Sequence, residues 1–428
     1  MADPILSPDG KWMWTGSDWI PAPPSSSQSA NVNLKDSVVG GDVHITQNSV
    51  SDFIAGIDHL LKKIGFDGQS SPKGLTASQE AEVEQALEMS EQLADHGIEI
   101  DPWTEITLGE AARLTGRLHT ARQHNLRALK SFRKNGDRQG EAASLNGLGF
   151  IAKVRGNTAE AERLFRESLA INREIGDRQG EADSLNGLGN MATIRGDLAE
   201  AERLHRESLA INREIGNRNA EANSMIYLGQ VAEIRMDFDE TERLLLESMA
   251  IFREIGNQNG QAGSMLSLGI IAQTRGDLAE AERLNHESLA IYRENGNRQD
   301  EAASLGNLGN LALERGDLAE AERLLLEAKS VYREVGDTAG VARQLDQLGT
   351  IARNRGDFAE AERLYLESLT INREIGNRRA ESASMISLAI LAESRNDPTE
   401  QRRLNTEAVK IWREIGIPVP QWYLDNGY

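Results

Sequence analysis

Apolar and small residues recur along most of the chain with the spacing of amphipathic helices. Leu145, Leu148 and Ala152 are separated by three and four positions, so they fall on one face of a helix. A few residues later Ala161 and Leu164 begin a second series with the same spacing. The pattern predicts two amphipathic helices, one directly after the other, and leaves no room for a strand between them.

The same pair of helices returns every 40 residues. The string RGDLAEAERL begins at Arg195, Arg275 and Arg315, and close variants begin at Arg155 and Arg355. The period defines seven units, 137–176, 177–216, 217–256, 257–296, 297–336, 337–376 and 377–416, and a degenerate eighth unit, 97–136, precedes them. One helix pair cannot bury its apolar face alone, so the units must stack. The predicted fold class is therefore an all-α solenoid.

Each unit carries helix-boundary signals at the same places. Asp137, like the Asp or Asn that opens each of the other six full units, is suited to cap the first helix, which stops at Gly156. Gly216 is suited to end a second helix in a left-handed conformation. In the last unit Pro398 follows Asp397, at the favoured first helical position. Gly149 recurs inside the first helix. Because glycine there costs about 1 kcal/mol relative to alanine, we expect a close approach of two helices at this point.

These residues resemble the tetratricopeptide repeat family. The pattern L-x-x-L-G-x-x-A that begins at Leu145, followed by Gly156 and Ala161, matches the family's spacing. The 40-residue unit is similar to the arrays of animal spindle-orientation adaptors and, more loosely, of kinesin light chains. The resemblance is strong over 137–416 and weak over 97–136. It implies a right-handed superhelix whose concave surface holds a protein or an extended peptide.

One column departs from the family pattern, a column being the residues that lie 40 positions apart. The aromatic residue of the family's second helix falls at Phe165. The rest of that column is His205, Leu245, Asn285, Leu325, Tyr365 and Asn405. Because this column varies, we expect Leu164 and its equivalents to form the core and the column of residue 165 to be partly exposed.

The two ends of the chain differ in character from the repeats. Residues 1–24 form a tryptophan-rich segment in which turn signals around Trp12 and Trp14 predict short β-strands, so the fold includes a small β-containing N-terminal extension. The remaining divisions are 25–49, a linker with a hairpin at 31–47; 50–75, a short helix and linker; 76–96, a capping helix; and 417–428, a C-terminal tail.

Charge and composition exclude several kinds of partner. The net charge is −20, and no basic patch offsets it, so nucleic acid is not an expected partner. The chain has no cysteine, which excludes disulfides and thiol chemistry. It has no apolar run of about 18 residues, so we expect no membrane span. The N-terminus lacks the pattern of a secretory signal, and we expect a cytoplasmic protein.

No motif for catalysis is evident. There is no P-loop, and the seven histidines are scattered, which we interpret as surface positions. The carboxylates of AEAERL recur in every unit, whereas a catalytic pair should be singular. We therefore predict no enzyme activity, no cofactor and no metal. Arg155 and its equivalents allow two interpretations, an ion pair near a helix end or a ladder that contacts an anionic ligand.

Comparison of the units with one another locates a candidate binding surface. The columns of residues 145, 148, 149 and 152 are nearly invariant among the units, whereas those of 143, 146, 150 and 153 vary and lie on one stripe of the first helix. In the family this stripe lines the concave surface. The predicted partner-binding residues are Asn146, Phe150, Lys153, Asn186, Asn190, Ile226, Gln230, Leu266, Ile270, Asn310, Thr350, Arg353, Ile386 and Ile390.

The resemblance implies that Asn186, Asn190 and Asn310 hold the backbone of an extended peptide. No unit pairs Lys in column 146 with Asn in column 150, so the carboxylate clamp of chaperone-binding members is not predicted. The favoured function is a protein-interaction scaffold or adaptor. One alternative is a self-assembling protein in which the solenoid is a spacer and residues 31–47 mediate homo-oligomer formation. Another, an enzyme or small-molecule sensor, would need a singular polar pocket.

Overall fold

The computed structural model describes residues 47–65, 77–416 and 418–428, together with three short strands near the N-terminus. The described helices are α1 Gln47–Lys63, α2 Ala77–Asp95, α3 Pro102–Leu114, α4 Leu118–Asn135, α5 Arg138–Val154, α6 Thr158–Ile175, α7 Arg178–Arg195, α8 Leu198–Glu214, α9 Arg218–Ile234, α10 Phe238–Glu254, α11 Gln258–Thr274, α12 Leu278–Glu294, α13 Arg298–Glu314, α14 Leu318–Glu334, α15 Thr338–Asn354, α16 Phe358–Glu374, α17 Arg378–Ser394, α18 Pro398–Glu414 and α19 Gln421–Asp425. The eight units thus correspond to the pairs α3–α4 to α17–α18.

Three strands, β1 Ile5–Leu6, β2 Trp12–Trp14 and β3 Trp19–Pro21, pair in antiparallel order. Met13 lies opposite Leu6 on one side and Ile20 on the other. An N-terminal β extension that folds as a unit of its own stays a prediction. The hairpin predicted at 31–47 falls, apart from its last residue, outside the described residues, as does the linker at 66–76.

The helix boundaries follow the predicted caps. The side chain of Asp137 accepts a hydrogen bond from the backbone N–H of Gly140 at 2.9 Å, and Asp397 caps α18 with Pro398 at its start. Gly216, after α8, has a φ of 70°, in the left-handed region that glycine adopts without strain, and Gly156, after α5, has a φ of 75°. These cap predictions are confirmed. Met236 occupies the position equivalent to Gly156 in its unit and has a φ of 62°. Its Cβ atom makes this conformation less favourable than it is for glycine.

The first and second helices of the units form two layers. Each first helix packs on the second helix of its own unit and on the second helix of the unit before. Consecutive first helices also approach each other, as α3 does α5 and α5 does α7. Among the described helices, no two consecutive second helices approach as closely. The first helices therefore form the inner layer of a curved array.

The column of residue 165 is buried, contrary to the expectation from its variability. Phe165 has no exposed surface, and His205, Asn285 and Tyr365 are exposed by at most 2%. The reason is the recurring glycine of the first helix. A Cβ atom at Gly149 would lie only 2.7 Å from a ring carbon of Phe165. The missing side chain thus admits residues of different shapes, so variation in this column reflects tolerance and not exposure.

Arginine and glutamate side chains join consecutive units. Glu181 is buried and accepts hydrogen bonds from Arg173 of the preceding unit and from Arg178, which also binds Glu214 at 2.7 Å. Burial raises the pKa of Glu181, but the two guanidinium groups outweigh it and hold that pKa below its ordinary value. We call this group of four the clasp.

The clasp recurs at most of the junctions between units. Its equivalents are built on Glu141, Glu221, Glu301 and Glu381. The unit that begins at 257 has Gln258 and Gln261 in these places, and the unit that begins at 337 has Thr338 and Val341. Two junctions therefore lack the central glutamate of the clasp.

The arginine at the end of the first helix also forms ion pairs between units. Arg195 Nη1 lies 2.6 Å from Glu162 Oε1, and Arg315 Nη1 lies 2.7 Å from Glu282 Oε2. Each of these glutamates lies near the start of the preceding second helix. The ion-pair interpretation of this column is therefore confirmed for these units.

Candidate functional site

The predicted partner-binding residues lie on the inner layer, one to three from each first helix between α5 and α17. We call the columns of residues 143, 146, 150 and 153 the inner stripe. Ile270 and Ile390 are exposed by 40% and 41%, and Gln230 is also exposed. Asn186, in contrast, is buried at 8% exposure. The remaining predicted residues are half-buried, namely Asn146, Phe150, Lys153, Asn190, Ile226, Leu266, Asn310, Thr350, Arg353 and Ile386.

The burial of Asn186 has a specific cause, a hydrogen-bonded chain across three helices. Its amide nitrogen donates to Ser224 Oγ at 3.3 Å, which leaves the amide oxygen facing His205 Nδ1 at 3.1 Å. Burial lowers the pKa of His205 to about 4, so the ring is neutral at pH 7 and Nδ1 carries the proton. Asn186 therefore has a structural role, and its contact with a partner stays a prediction.

The interpretation of the histidines as surface residues is wrong for two of them. His205 has 1% exposure and stacks on Tyr227 with 5.2 Å between ring centres. His124 has 1% exposure as well, and its Nδ1 lies 2.5 Å from Glu105 Oε2. Both occur where the second helix faces its own first helix. The sequence contains a sign that His205 is buried, because His205 stands in the column of Phe165, where other units have aromatic residues.

At the N-terminal end of the inner stripe, aromatic and cationic side chains lie together. The ring of Phe150 meets Phe165 edge-on, with 5.2 Å between the ring centres. The Lys153 ammonium group lies 5.1 Å from the centre of the Phe150 ring. Burial, and then the charge of Arg113, lower the pKa of Lys153. Lys153 thus places a positive charge at this end of the stripe, although the chain as a whole is strongly acidic.

The C-terminal half of the stripe is more apolar. Ile270 and Ile390 are its exposed large apolar members, and Leu266 and Ile386 lie one turn from them on the same helices. Thr350 and the hydroxyl of the buried Tyr365 share a hydrogen bond of 3.1 Å. Exposed aliphatic side chains at regular intervals on one face are typical of an interaction surface.

Several amide oxygens of the stripe have no donor. Among the described residues, no hydrogen-bond donor reaches the buried Oδ1 atoms of Asn146 and Asn310. An acceptor of this kind gains free energy when an incoming N–H group satisfies it. Both atoms are enclosed by the protein, so the backbone of an extended peptide reaches them only if these side chains turn outward.

The predicted partner-binding residues omit three that matter, Tyr227 beside the stripe and Asp183 and Asp346 within its columns 143 and 146. Tyr227 stands in a column that otherwise holds only small or polar residues, and this contrast was a usable signal. Asp183 and Asp346 are the single acidic residues of their columns among the seven full units. Burial raises the pKa of each to about 6. Asp346 Oδ2 accepts a hydrogen bond from Ser384 at 2.9 Å.

The outer layer also has clefts, between consecutive second helices. One, of about 450 Å³, lies between α6 and α8 and has Leu185 and Leu188 on its floor. Its rim carries Arg203, which already pairs with Glu200 and Glu207. Similar clefts of about 510 and 550 Å³ occupy the neighbouring units. Because their rim charges pair with each other, these clefts offer a ligand less than the inner stripe does.

Two searches of the described part of the chain gave no candidate. No group of three or more His, Asp or Glu side chains there is arranged to hold a metal ion. None of the helices described combines the length and the apolar character needed to cross a membrane.

Comparison with known proteins identifies the repeat. A family model described as "Tetratricopeptide repeat" matches residues 100–174, 140–214, 180–254, 220–294, 260–334 and 337–414. These matches extend over most of the chain and include the degenerate unit. A search of curated protein sequences finds no match.

Solved structures of similar fold come from several proteins. The Rap protein complexed with Competence and Sporulation Factor has a TM-score of 0.59 at 12% identity, over 86% of this chain and 99% of that one. The apo quorum sensor NprR from B. thuringiensis has a TM-score of 0.52 at 12% identity, over 84% and 99%. A signal transduction ATPase with a tetratricopeptide repeat sensor, from Pyrococcus horikoshii, has a TM-score of 0.52 at 15% identity, over 86% and 53%. At these identities the likeness shows the fold alone.

Proposed function

The chain belongs to the tetratricopeptide repeat family, and from this premise we propose that it is a non-enzymatic adaptor that binds another protein along the inner stripe. The bound segment is an extended polypeptide that follows the concave surface of a right-handed superhelix. We place the protein in the cytoplasm. The divisions of the chain drawn from the sequence belong to this proposal, with α2 as the front cap and 417–428 as the rear lid of the array.

The observation that carries the proposal is the exposure of aliphatic side chains on the inner layer. Ile270 and Ile390 are each about 40% exposed, and they stand in columns that the stacking of units does not constrain. The Rap protein, whose fold is similar, is complexed with Competence and Sporulation Factor, and the proposal extends such a binding use to this chain.

Affinity purification from the native cell, with quantitative mass spectrometry, tests the proposal. The variant Ile270→Asp/Ile390→Asp places two charges on the inner stripe. The matched control, Leu246→Asp/Leu366→Asp, places them on outer second helices at residues that are 44% and 46% exposed. We expect the inner variant to lose its partners at least tenfold and the outer variant to retain them. Equal recovery by the wild type and the inner variant would contradict the proposal.

Self-assembly through residues 31–47 is the alternative function. Static light scattering of the full chain and of a chain that lacks residues 1–46 separates the two. An adaptor that acts as a monomer gives the monomer mass in both cases. A multiple of that mass for the full chain alone would favour the alternative.

A further inference from the structure

Lys153 is a half-buried cation without a counter-ion. No carboxylate of a described residue lies within ion-pair distance of its ammonium group, whose described neighbour is the ring of Phe150 at 5.1 Å. Burial and the nearby Arg113 lower the pKa of Lys153, because both make the charged form of the side chain less favourable. Such a cation is stabilised when an anion approaches it.

One of three other polar groups, Arg113, lies near this cation, and the other two belong to the surroundings of Arg113; each of the three comes from a different first helix. Arg113 of α3 is held by Glu110 through hydrogen bonds of 2.7 and 2.6 Å, so its orientation is set. The charge of Arg113 acts to lower the pKa of Lys153 on α5 and that of the Tyr227 hydroxyl on α9. The amide group of Asn190, on α7, lies beside the same hydroxyl. Four consecutive first helices thus contribute donors to one region of the inner stripe.

The acidic groups in the same region limit what it can hold. Glu110 is already bound to Arg113, and Asp183 lies near Tyr227, with a pKa that burial raises to about 6. Glu233 follows on α9, and burial raises its pKa too. With these carboxyl groups nearby, the region suits a single negative charge better than a doubly charged phosphate.

We propose that Lys153 and Arg113, with the Tyr227 hydroxyl and the Asn190 amide, bind one carboxylate of the polypeptide held on the inner stripe. The carboxylate belongs to an Asp or Glu side chain of the bound segment, and an aliphatic part of the same segment lies on Leu266 and Ile270. The two cations, Lys153 and Arg113, lie in column 153 and not in columns 146 and 150, where the chaperone-type clamp is absent. The inference rests on the proposed function, because it names the chemistry of the partner at that surface.

Selection of peptides on the intact chain tests this assignment without knowledge of the natural partner. A phage library of random 12-residue peptides is selected on the wild type, on Lys153→Met, on Ile270→Asp and on Lys130→Met, which removes the same charge from an exposed site on α4. We expect peptides from the wild type and from Lys130→Met to share an Asp or Glu at one position. Peptides from Lys153→Met should lack that preference. Circular dichroism confirms that each variant is folded.

A thermodynamic cycle on one selected peptide then isolates the carboxylate. Fluorescence anisotropy should show that Glu→Gln in the peptide weakens binding to the wild type about tenfold, and binding to Lys153→Met less than twofold. Lys153→Arg should restore the difference, since it keeps the charge. A phosphoserine at the same position should bind more weakly than Glu.

The failures are distinguishable. Peptides whose binding depends on Ile270 but shows no acidic preference, or the same Glu→Gln loss in Lys153→Met, would overturn the carboxylate assignment and leave the inner stripe as the binding surface. Tighter binding of the phosphoserine peptide would overturn the choice of a carboxylate. If no peptide is selected, or if the selected peptides bind Ile270→Asp as well as the wild type, the proposed function fails and this inference fails with it.

Discussion

At the scale of single residues, the recurring glycine of the first helix shows how a small side chain determines what its neighbour can be. A Cβ atom at Gly149 would lie 2.7 Å from Phe165 Cε1, whereas one at Gly229 would lie 3.7 Å from Leu245 Cγ, an ordinary contact. The same substitution should therefore have opposite effects in the two units.

We expect Gly149→Ala to lower the free energy of unfolding by about 1–2 kcal/mol, because overpacking against the ring outweighs the gain in helix propensity. Gly229→Ala, the matched control, should raise it by about 0.5–1 kcal/mol. The midpoint of urea unfolding, followed by circular dichroism, measures both changes. A shift of the two variants in the same direction would show that the fit between Gly149 and Phe165 does not control this position.

Asp346 predicts a dependence of stability on pH. Burial raises its pKa from 3.8 to about 6 in the folded chain, so the folded state binds the proton more tightly than the unfolded state does. The free energy of unfolding must then fall as the pH rises from about 4 to about 6, by at most about 3 kcal/mol. Asp183 contributes with the same sign.

Asp346→Asn removes this contribution and keeps a side chain that can form a hydrogen bond with the Ser384 hydroxyl, as Asn186 does with Ser224. The variant should melt several degrees higher than the wild type at pH 7.5 and at the same temperature at pH 4. Asp239→Asn, at a side chain that is 98% exposed, is the control and should change little. A difference between Asp346→Asn and the wild type that does not vary with pH would exclude Asp346 as the titrating group.

At the scale of helices and units, periodicity and caps are predictable from the sequence because both depend on local chemistry. Asp137 caps α5 because the free N–H groups at the start of the helix need an acceptor. Gly156 takes a positive φ because the chain turns there at the end of the same helix. The burial of Phe165 was not predictable from variability, since it depends on a glycine that faces it from another helix. The curvature that brings donors of α3, α5, α7 and α9 together is likewise a property of stacking and not of any one unit.

The clasp predicts that two junctions are weaker than their neighbours. At the junction of α10 with α11, Arg253 and Glu294 are present and only the central pair is missing, replaced by Gln258 and Gln261. Gln258→Arg/Gln261→Glu should complete the clasp and stabilise this junction by about 1 kcal/mol, the range of a partly buried ion-pair network. Gln258→Arg alone, without the glutamate, is the control.

Hydrogen exchange of the α11 backbone amides measures this local effect. Slower exchange in the double variant, but not in the single variant, is the expected result. Equal exchange in the wild type and in both variants would show that the clasp does not hold consecutive units together.

At the scale of the whole molecule, the array presents two different surfaces. The outer layer repeats the same charges in every unit and pairs them with each other, as Arg203 does with Glu200. The inner stripe changes from unit to unit, from the cation Lys153 beside Phe150 to exposed aliphatic residues at Ile270 and Ile390. The residues of the inner stripe do not hold the units together, and they differ from one unit to the next. Such a surface is suited to recognise one extended partner along the length of the array.

Photo-cross-linking in the native cell tests this central claim most directly. The photoreactive residue p-benzoylphenylalanine is placed at one position at a time, replacing Ile270 or Ile390 on the inner stripe and Leu246 or Leu366 on the outer layer. We expect partner adducts from the two inner positions and none from the outer pair. Adducts from Leu246 or Leu366, with none from Ile270 or Ile390, would contradict the account.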